Sequence, residues 1–368
     1  MSRPGLTDVR PEHRLATIFE IHAAGLTLRR GIAAVVILGA VFAALHALDL
    51  EAYELSVLFG LLFVAVSDPG GAYLVRAREM ALVGGAGTLL TALGFAAGGW
   101  PWGLAVLIVF AVTVLCGLAV CLGVHRFIGA LLLNIWLLVA LGTAVFDAHH
   151  GTPLHPWPQA LAWLTASALW LAATCLLWLA RGRKAETSPF PELPGDVSPR
   201  PLTRQVAIFA ALRAVLVAGA VAIALGLHLP NASWLPVATI ITLKPDIEQS
   251  KLIAEQRLAG AILGAGLACL VLLTIDNRYA VEAVLVVLAA VAASIRFVNY
   301  ALYCAAVAAT TLIAIDLPHP DTLAAEGERV LYTLVGVAIG VAGMLLADLL
   351  GRRAAGSAPQ HAGRAAAG

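Results

Sequence analysis

The sequence predicts an all-α membrane protein of about twelve transmembrane helices, arranged as two parallel six-helix repeats with no large soluble domain. Three observations carry that expectation. Hydrophobic residues fill 61% of the 368 positions and charged residues only 12%, with a mean hydropathy of +0.91, a composition that a water-soluble domain could not hide behind a polar surface. The apolar runs recur along the chain at lengths near the roughly 20 residues that a spanning helix needs. A short apolar segment ending at a proline-acid pair occurs once in each half, and paired short spans of this kind point to a transporter's working region.

In chain order, a polar leader (1–30) precedes the first apolar run. No small-residue cleavage site stands out after that run, so the leader is expected to remain. The first repeat (31–180) holds spans near 31–48, 52–66, 80–98, 102–122, 127–146 and 160–180. A proline- and charge-rich linker (181–205) follows. The second repeat (206–350) holds spans near 206–227, 233–243, 257–275, 279–295, 298–315 and 329–350, and residues 351–368 form a disordered cytoplasmic tail. Whether 52–66 and 233–243 cross fully is open. About eleven apolar residues cannot cover roughly 30 Å of hydrocarbon as a lipid-facing helix, so the second segment is expected within the bundle or broken. Pro236 is read there as removing an internal backbone donor, and Pro245 as ending the helix.

A net charge of +1 says little until the basic residues are placed. With the N-terminus inside, the leader, the 67–79 loop, Arg126, the linker, the 244–257 loop, Arg296, Arg352 and Arg353 share the cytoplasmic side. Of the 23 Lys and Arg, only Arg278 and Arg329 fall outside. This positive-inside bias supports the span count and places both termini in the cytoplasm of a multi-pass inner-membrane protein. Six spans per repeat make the repeats parallel. His125-Arg126-Phe127-Ile128 before the fifth span, matched by Ile295-Arg296-Phe297-Val298 before the eleventh, supports a duplication.

Candidate functional residues follow from the doubled pattern. The first copy ends at Ser67-Asp68-Pro69, then carries Arg76, Arg78 and Glu79 in a polar loop before Gly84, Gly85 and Gly87. The second runs from Trp234 to Lys244-Pro245-Asp246, then Glu255 and Arg257, then Gly260, Gly264 and Gly266. Two readings of the basic residues stay open. Lys244, Arg257, Arg76 and Arg78 form an inner vestibule or gate that gathers an organic anion, or they are cytoplasmic anchors that obey the positive-inside rule. Arg257 departs most from the second reading, because a charge drawn into the bundle needs a partner or an anionic ligand. The glycines suit close helix packing.

Inside the spans, Asn134, Thr239, Thr242, Thr310 and Thr311 suit interhelical hydrogen bonds as well as substrate contacts. Glu282 and Asp348 lie near span ends, so no buried carboxylate proton relay is evident. The five cysteines fall in apolar runs and suggest neither disulfides nor metal. His149, His150 and His155 share a loop and could offer imidazole to a metal, but a flexible Pro/Gly-rich loop without cysteine argues against a metal site. Neither a nucleotide-binding loop, a nucleophile elbow nor a zinc-protease motif is present, so no enzyme and no cofactor is expected. A nucleic-acid partner is not indicated either.

Ser233-Trp234-Leu235-Pro236, Lys244-Pro245-Asp246 and Gln256-Arg257-Leu258-Ala259-Gly260-Ala261-Ile262-Leu263-Gly264 together resemble the signature of the fusaric-acid-resistance family of membrane transporters, with a core over 230–315. On that pattern fall Trp234, Pro236, Pro245, Asp246, Arg257, Gly260 and Gly264. The first copy keeps Pro69, Glu79 and Gly84 but has Ala81 where the second has Arg257, and Ala261 stands where the family has Thr. Larger relatives carry a soluble domain where this chain has a short linker. The resemblance implies export of small organic anions, aromatic carboxylates among them, with proton coupling. A passive organic-anion channel and a non-transporting envelope scaffold are the alternatives, and the lipid bilayer, a homo-oligomer or an envelope partner are the expected associations.

Overall fold

The computed structural model describes residues 18–151, 154–182, 199, 201–229, 233–243, 251–317 and 323–356. Among these, the chain forms α1 (Leu28–Ala47), α2 (Glu54–Ser67), α3 (Tyr73–Ala97), α4 (Trp102–Leu118), α5 (Val124–His149) and α6 (Pro156–Ala180). It continues with α7 (Arg204–Gly226), α8 (Trp234–Thr242), α9 (Lys251–Thr274), α10 (Arg278–Ile295), α11 (Tyr300–Asp316) and α12 (Leu323–Gly356). No strand occurs among the described residues. Seven helices, α1, α3, α4 with the turn after it, α5, α6, α7 and α10, are long and apolar enough to cross a membrane. The apolar stretches within α9, α11 and α12 are shorter. Exposed Val35, Val36, Leu104, Leu107, Leu115, Leu161 and Leu176 form the kind of apolar outer surface that lipid covers.

Local chemistry sets several helix ends. Thr203, Asn277 and Asn299 cap α7, α10 and α11 by accepting a backbone N–H three residues on. Pro156 opens α6 in the first turn, where no backbone donor is needed. The α2 end is sharper. Asp68 precedes proline and is extended, and its side chain accepts the Gly70 N–H, an Asx turn. Gly70 and Gly71 then take positive φ, 73° and 76°, which glycine tolerates without strain. The chain is therefore ready to restart as helix at Tyr73, and Arg76, Arg78 and Glu79 lie in the first two turns of α3 rather than in the loop expected from sequence.

The chain divides into two compact units, and each takes helices from both halves of the sequence. The first contains α1, α2, α3, α6, α9, α10 and α11. Its centre is α2, in which every residue from Glu54 to Val64 is buried. Gly60 brings the α6 backbone close, since a Cβ there would lie 2.8 Å from the Trp163 carbonyl oxygen. The Trp163 ring is fully buried, lies over Gly87 of α3 and donates its indole N–H to the Gly84 carbonyl. Helix α1 packs on α10, with Gly31 against Ser294. Helix α9 packs on α11 through Gly260 and Gly264, while Gly266 faces open space.

The second unit contains α4, α5, α7, α8 and α12. Helix α8 has only nine residues, and Trp234 through Ile240 are buried, as its shortness required. Gly336 and Gly340 of α12 meet the α8 backbone, and Thr239 donates to the Gly336 carbonyl. Helix α4 meets α7 where Gly117 faces Ala210. Pro236 corrects the sequence reading: it is the third residue of α8, in the first turn, where the backbone N–H has no intrahelical acceptor to lose.

Candidate functional site

The most developed polar site of the first unit is built on Asp68. Arg76, two turns' reach away across the Asx turn, binds the carboxylate with two parallel bonds, Nε to Oδ1 at 2.8 Å and Nη2 to Oδ2 at 2.7 Å. Arg30 at the start of α1 adds a third at 2.6 Å. Asp68 and Arg76 are both buried. Burial alone would raise the Asp68 carboxyl, but the bonds and charges of Arg76 and Arg30, with the Gly70 amide, outweigh it and hold its pKa below the ordinary 3.8. This is a charge-assisted, bidentate arrangement that fixes the α2–α3 turn against α1.

Beside it, Arg296 at the end of α10 donates to the Val66 carbonyl at 2.7 Å. That bond satisfies one of the orphan carbonyls at the α2 C-terminus, where the helix dipole favours a cation. Arg30 and Arg296 line a cavity of about 30 Å³ together with Leu62, Val66, Trp170 and Tyr303. The Trp170 indole nitrogen is buried without a hydrogen-bond partner among the described residues. Arg296 makes no ion pair with a described carboxylate; its partners are the backbone carbonyls and the Phe297 ring, 5.3 Å away.

The residues expected from sequence are distributed unevenly. Asp68 and Arg76 come together, and Arg78, two residues after Arg76 in α3, is exposed. Trp234 is buried in α8 of the second unit. Asn134 is fully buried in α5, where its Oδ1 accepts from Thr113 of α4 at 3.3 Å and its Nδ2 has no hydrogen-bond partner among the described residues. Lys244, Pro245 and Asp246 lie outside the described residues, as do the side chains of Glu255 and Arg257, whose backbones belong to α9.

Sequence reasoning missed two groups. Arg30 and Arg296 were read only as basic flanks; their convergence on one turn needs α1 and α10 side by side. The second group joins α1, α2 and α10 at their other ends. His46, Glu54 and Glu282 bring three donor atoms within 4.8 Å of one another, a set able to hold a metal ion, and Arg278 binds both carboxylates. The four residues are scattered over the sequence without motif spacing, so only the fold assembles them. His149 and His150, by contrast, bond to carbonyls of their own helix four residues back. In the second unit, Arg213 of α7 is buried with its guanidinium 5.4 Å from the Phe127 ring.

Comparison with curated proteins and with solved structures found no match for this chain. One family model matches, described as fusaric acid resistance protein-like, over residues 201–343. That stretch runs from the start of α7 into α12 and contains the tryptophan-led short helix and the glycine face of α9. With seven helices fit to span a bilayer, the chain is a membrane protein whose residues 201–343 match the model of the fusaric acid resistance protein-like family.

Proposed function

We propose that this protein is a multi-pass transporter that exports small organic anions, aromatic carboxylates foremost, through the inner membrane. The observation that carries the reading is Arg296, a guanidinium at a cavity wall that has no carboxylate partner among the described residues. A guanidinium binds carboxylate in a planar fork, and Trp170 and Tyr303 in the same wall offer surfaces for an aromatic ring. A volume of about 30 Å³ admits water rather than an aromatic acid. The reading therefore requires the helices around the cavity to part, as alternating access does.

Helix pairing supports the expected duplication. Helix α1 packs on α10 and α7 on α4; α2 packs on α6 and α8 on α12. Numbering each half from one to six turns these into the same two pairs, each first helix meeting the fourth of the other half and each second helix meeting its own sixth. On the positive-inside reading the Asp68 turn, Arg30 and Arg296 lie at the cytoplasmic side, where an exporter would collect its anion. Proton coupling rests on the family resemblance alone.

Purified protein in liposomes is expected to carry benzoate in a saturable manner, faster than an aliphatic carboxylate and faster under an imposed pH gradient. Arg296→Gln, if monodisperse in detergent, should lower benzoate flux about tenfold or more, as loss of a charge-assisted bond of roughly 1.5–3 kcal/mol does. Arg29→Gln, at an exposed position beside Arg30, should leave it unchanged. Flux at the protein-free rate, or flux indifferent to Arg296→Gln, would overturn the reading. Steady single-channel current would identify a channel instead.

A further inference from the structure

We propose that the ends of α1, α2 and α10 form a binding site for one divalent cation of the zinc class, ligated by His46 Nε2, Glu54 Oε1 and Glu282 Oε2. The site goes beyond the transport reading and does not depend on it. His46 lies sixteen residues from Arg30 along α1, roughly 24 Å at 1.5 Å per residue, so the two sites occupy opposite ends of the same helix.

The donors are already turned inward. Glu54 and Glu282 are 3% and 5% exposed. One oxygen of each is held by Arg278, Nη2 to Glu54 Oε2 at 2.9 Å and Nε to Glu282 Oε1 at 3.0 Å. The other oxygen of each faces the imidazole, Glu282 Oε2 at 2.6 Å and Glu54 Oε1 at 3.6 Å from His46 Nε2. On the far side of the ring, Nδ1 lies 3.1 Å from Glu51 Oε1. A carboxylate in that position holds the ring proton on Nδ1 and presents the Nε2 lone pair to a metal. Tyr279 packs edge-on against the same ring, with centroids 5.1 Å apart.

Two features favour a cation over a shared proton. A proton between Nε2 and Glu282 Oε2 serves that pair only and leaves Glu54 Oε1, a buried atom with no hydrogen bond, unsatisfied. A cation at the meeting point contacts all three atoms at once. Charge agrees: three carboxylates, one guanidinium and a neutral imidazole sum to two negative charges, which one divalent ion cancels. Zinc accepts imidazole nitrogen and carboxylate oxygen at about 2.0–2.2 Å, which sets tetrahedral donors roughly 3.3–3.5 Å apart. The separations of 2.6 and 3.6 Å from His46 Nε2, with all three donor atoms within 4.8 Å of one another, reach that spacing with side-chain shifts on the order of 1 Å. A one-nitrogen, two-oxygen donor set suits borderline metals better than calcium, which takes six to eight oxygens.

The test uses tag-free full-length protein in detergent and zinc chloride. Titration calorimetry should show one zinc per chain that weakens at least tenfold in His46→Gln and in Glu54→Gln and persists in His149→Gln/His150→Gln. Wild-type protein supplies a readout that needs no variant: carbethoxylation of His46, followed by mass spectrometry, should slow about tenfold when one equivalent of zinc is present. Unchanged His46 modification, zinc binding lost with His149 and His150, or no binding at micromolar zinc would each overturn the proposal. Modification of His46 that responds to pH and not to zinc would assign the cluster to protons.

Discussion

Replacing Asp68 by Asn is expected to destabilise the detergent-solubilised protein by about 3–5 kcal/mol, the cost of removing one partner from a buried ion pair. The carboxylate receives Arg76 twice, Arg30 once and the Gly70 N–H. An amide can accept from one guanidinium but supplies no negative charge to either arginine. A partner test separates charge from shape: Asp68→Asn/Arg76→Met should recover part of the loss, because the double variant no longer buries the Arg76 charge beside a neutral amide. Thermal unfolding followed by tryptophan fluorescence measures both. The acid side gives a second check. The Asp68 pKa is depressed below 3.8, so its stabilisation is complete above that value and fades as pH falls through the depressed folded pKa. Asp68→Asn should flatten the stability profile in that acid window. A variant as stable as wild type at neutral pH would show that the turn is held by something else.

The second large effect is a contrast between two glycines of α9 only two residues apart. A Cβ at Gly264 would sit 2.5 Å from the Ala305 carbonyl oxygen and 2.7 Å from the Ala308 Cβ, with the Ala309 nitrogen at 3.1 Å. Backbone cannot yield as a flexible side chain does, so α9 and α11 must separate. Gly264→Ala is expected to cost about 1–3 kcal/mol, and Gly264→Leu more. At Gly266 nothing lies within 4 Å, so Gly266→Ala should be neutral or stabilising by up to about 1 kcal/mol through helix propensity. Opposite signs in the same thermal assay are the expected result. Equal effects at the two positions would mean that the α9–α11 contact is not set by glycine.

What could be read from the sequence, and what could not, divides along chain distance. The burial of α8 followed from arithmetic, since a nine-residue apolar helix is too short to cross a bilayer. Asp68 and Arg76 were legible because eight residues and a proline turn separate them. Their third partner, Arg30, is 38 residues away and on another helix, and Arg296 is 230 residues from the carbonyl that it caps. Charge counting could only assign those two to a side of the membrane. The His46, Glu54 and Glu282 cluster shows the same limit, for Glu282 looked like an ordinary helix-end carboxylate until α10 was placed beside α1. Pro236 misled for a local reason: a proline is costly in a helix interior but not in the first turn, and the start of α8 at Trp234 decides which applies.

The pairing of α1 with α10 has a consequence for how the protein is made. Helix α1 leaves the ribosome early, yet α10 follows about 250 residues later, on the order of 10–50 s at typical elongation rates. Through that interval the face of α1 around Gly31, shaped to receive Ser294, has no native neighbour. Order of synthesis and order of assembly must therefore diverge, and α1 waits in the bilayer without its α10 neighbour until the second half arrives. Two separately expressed halves should each be short-lived alone and should rescue one another when produced in the same cell.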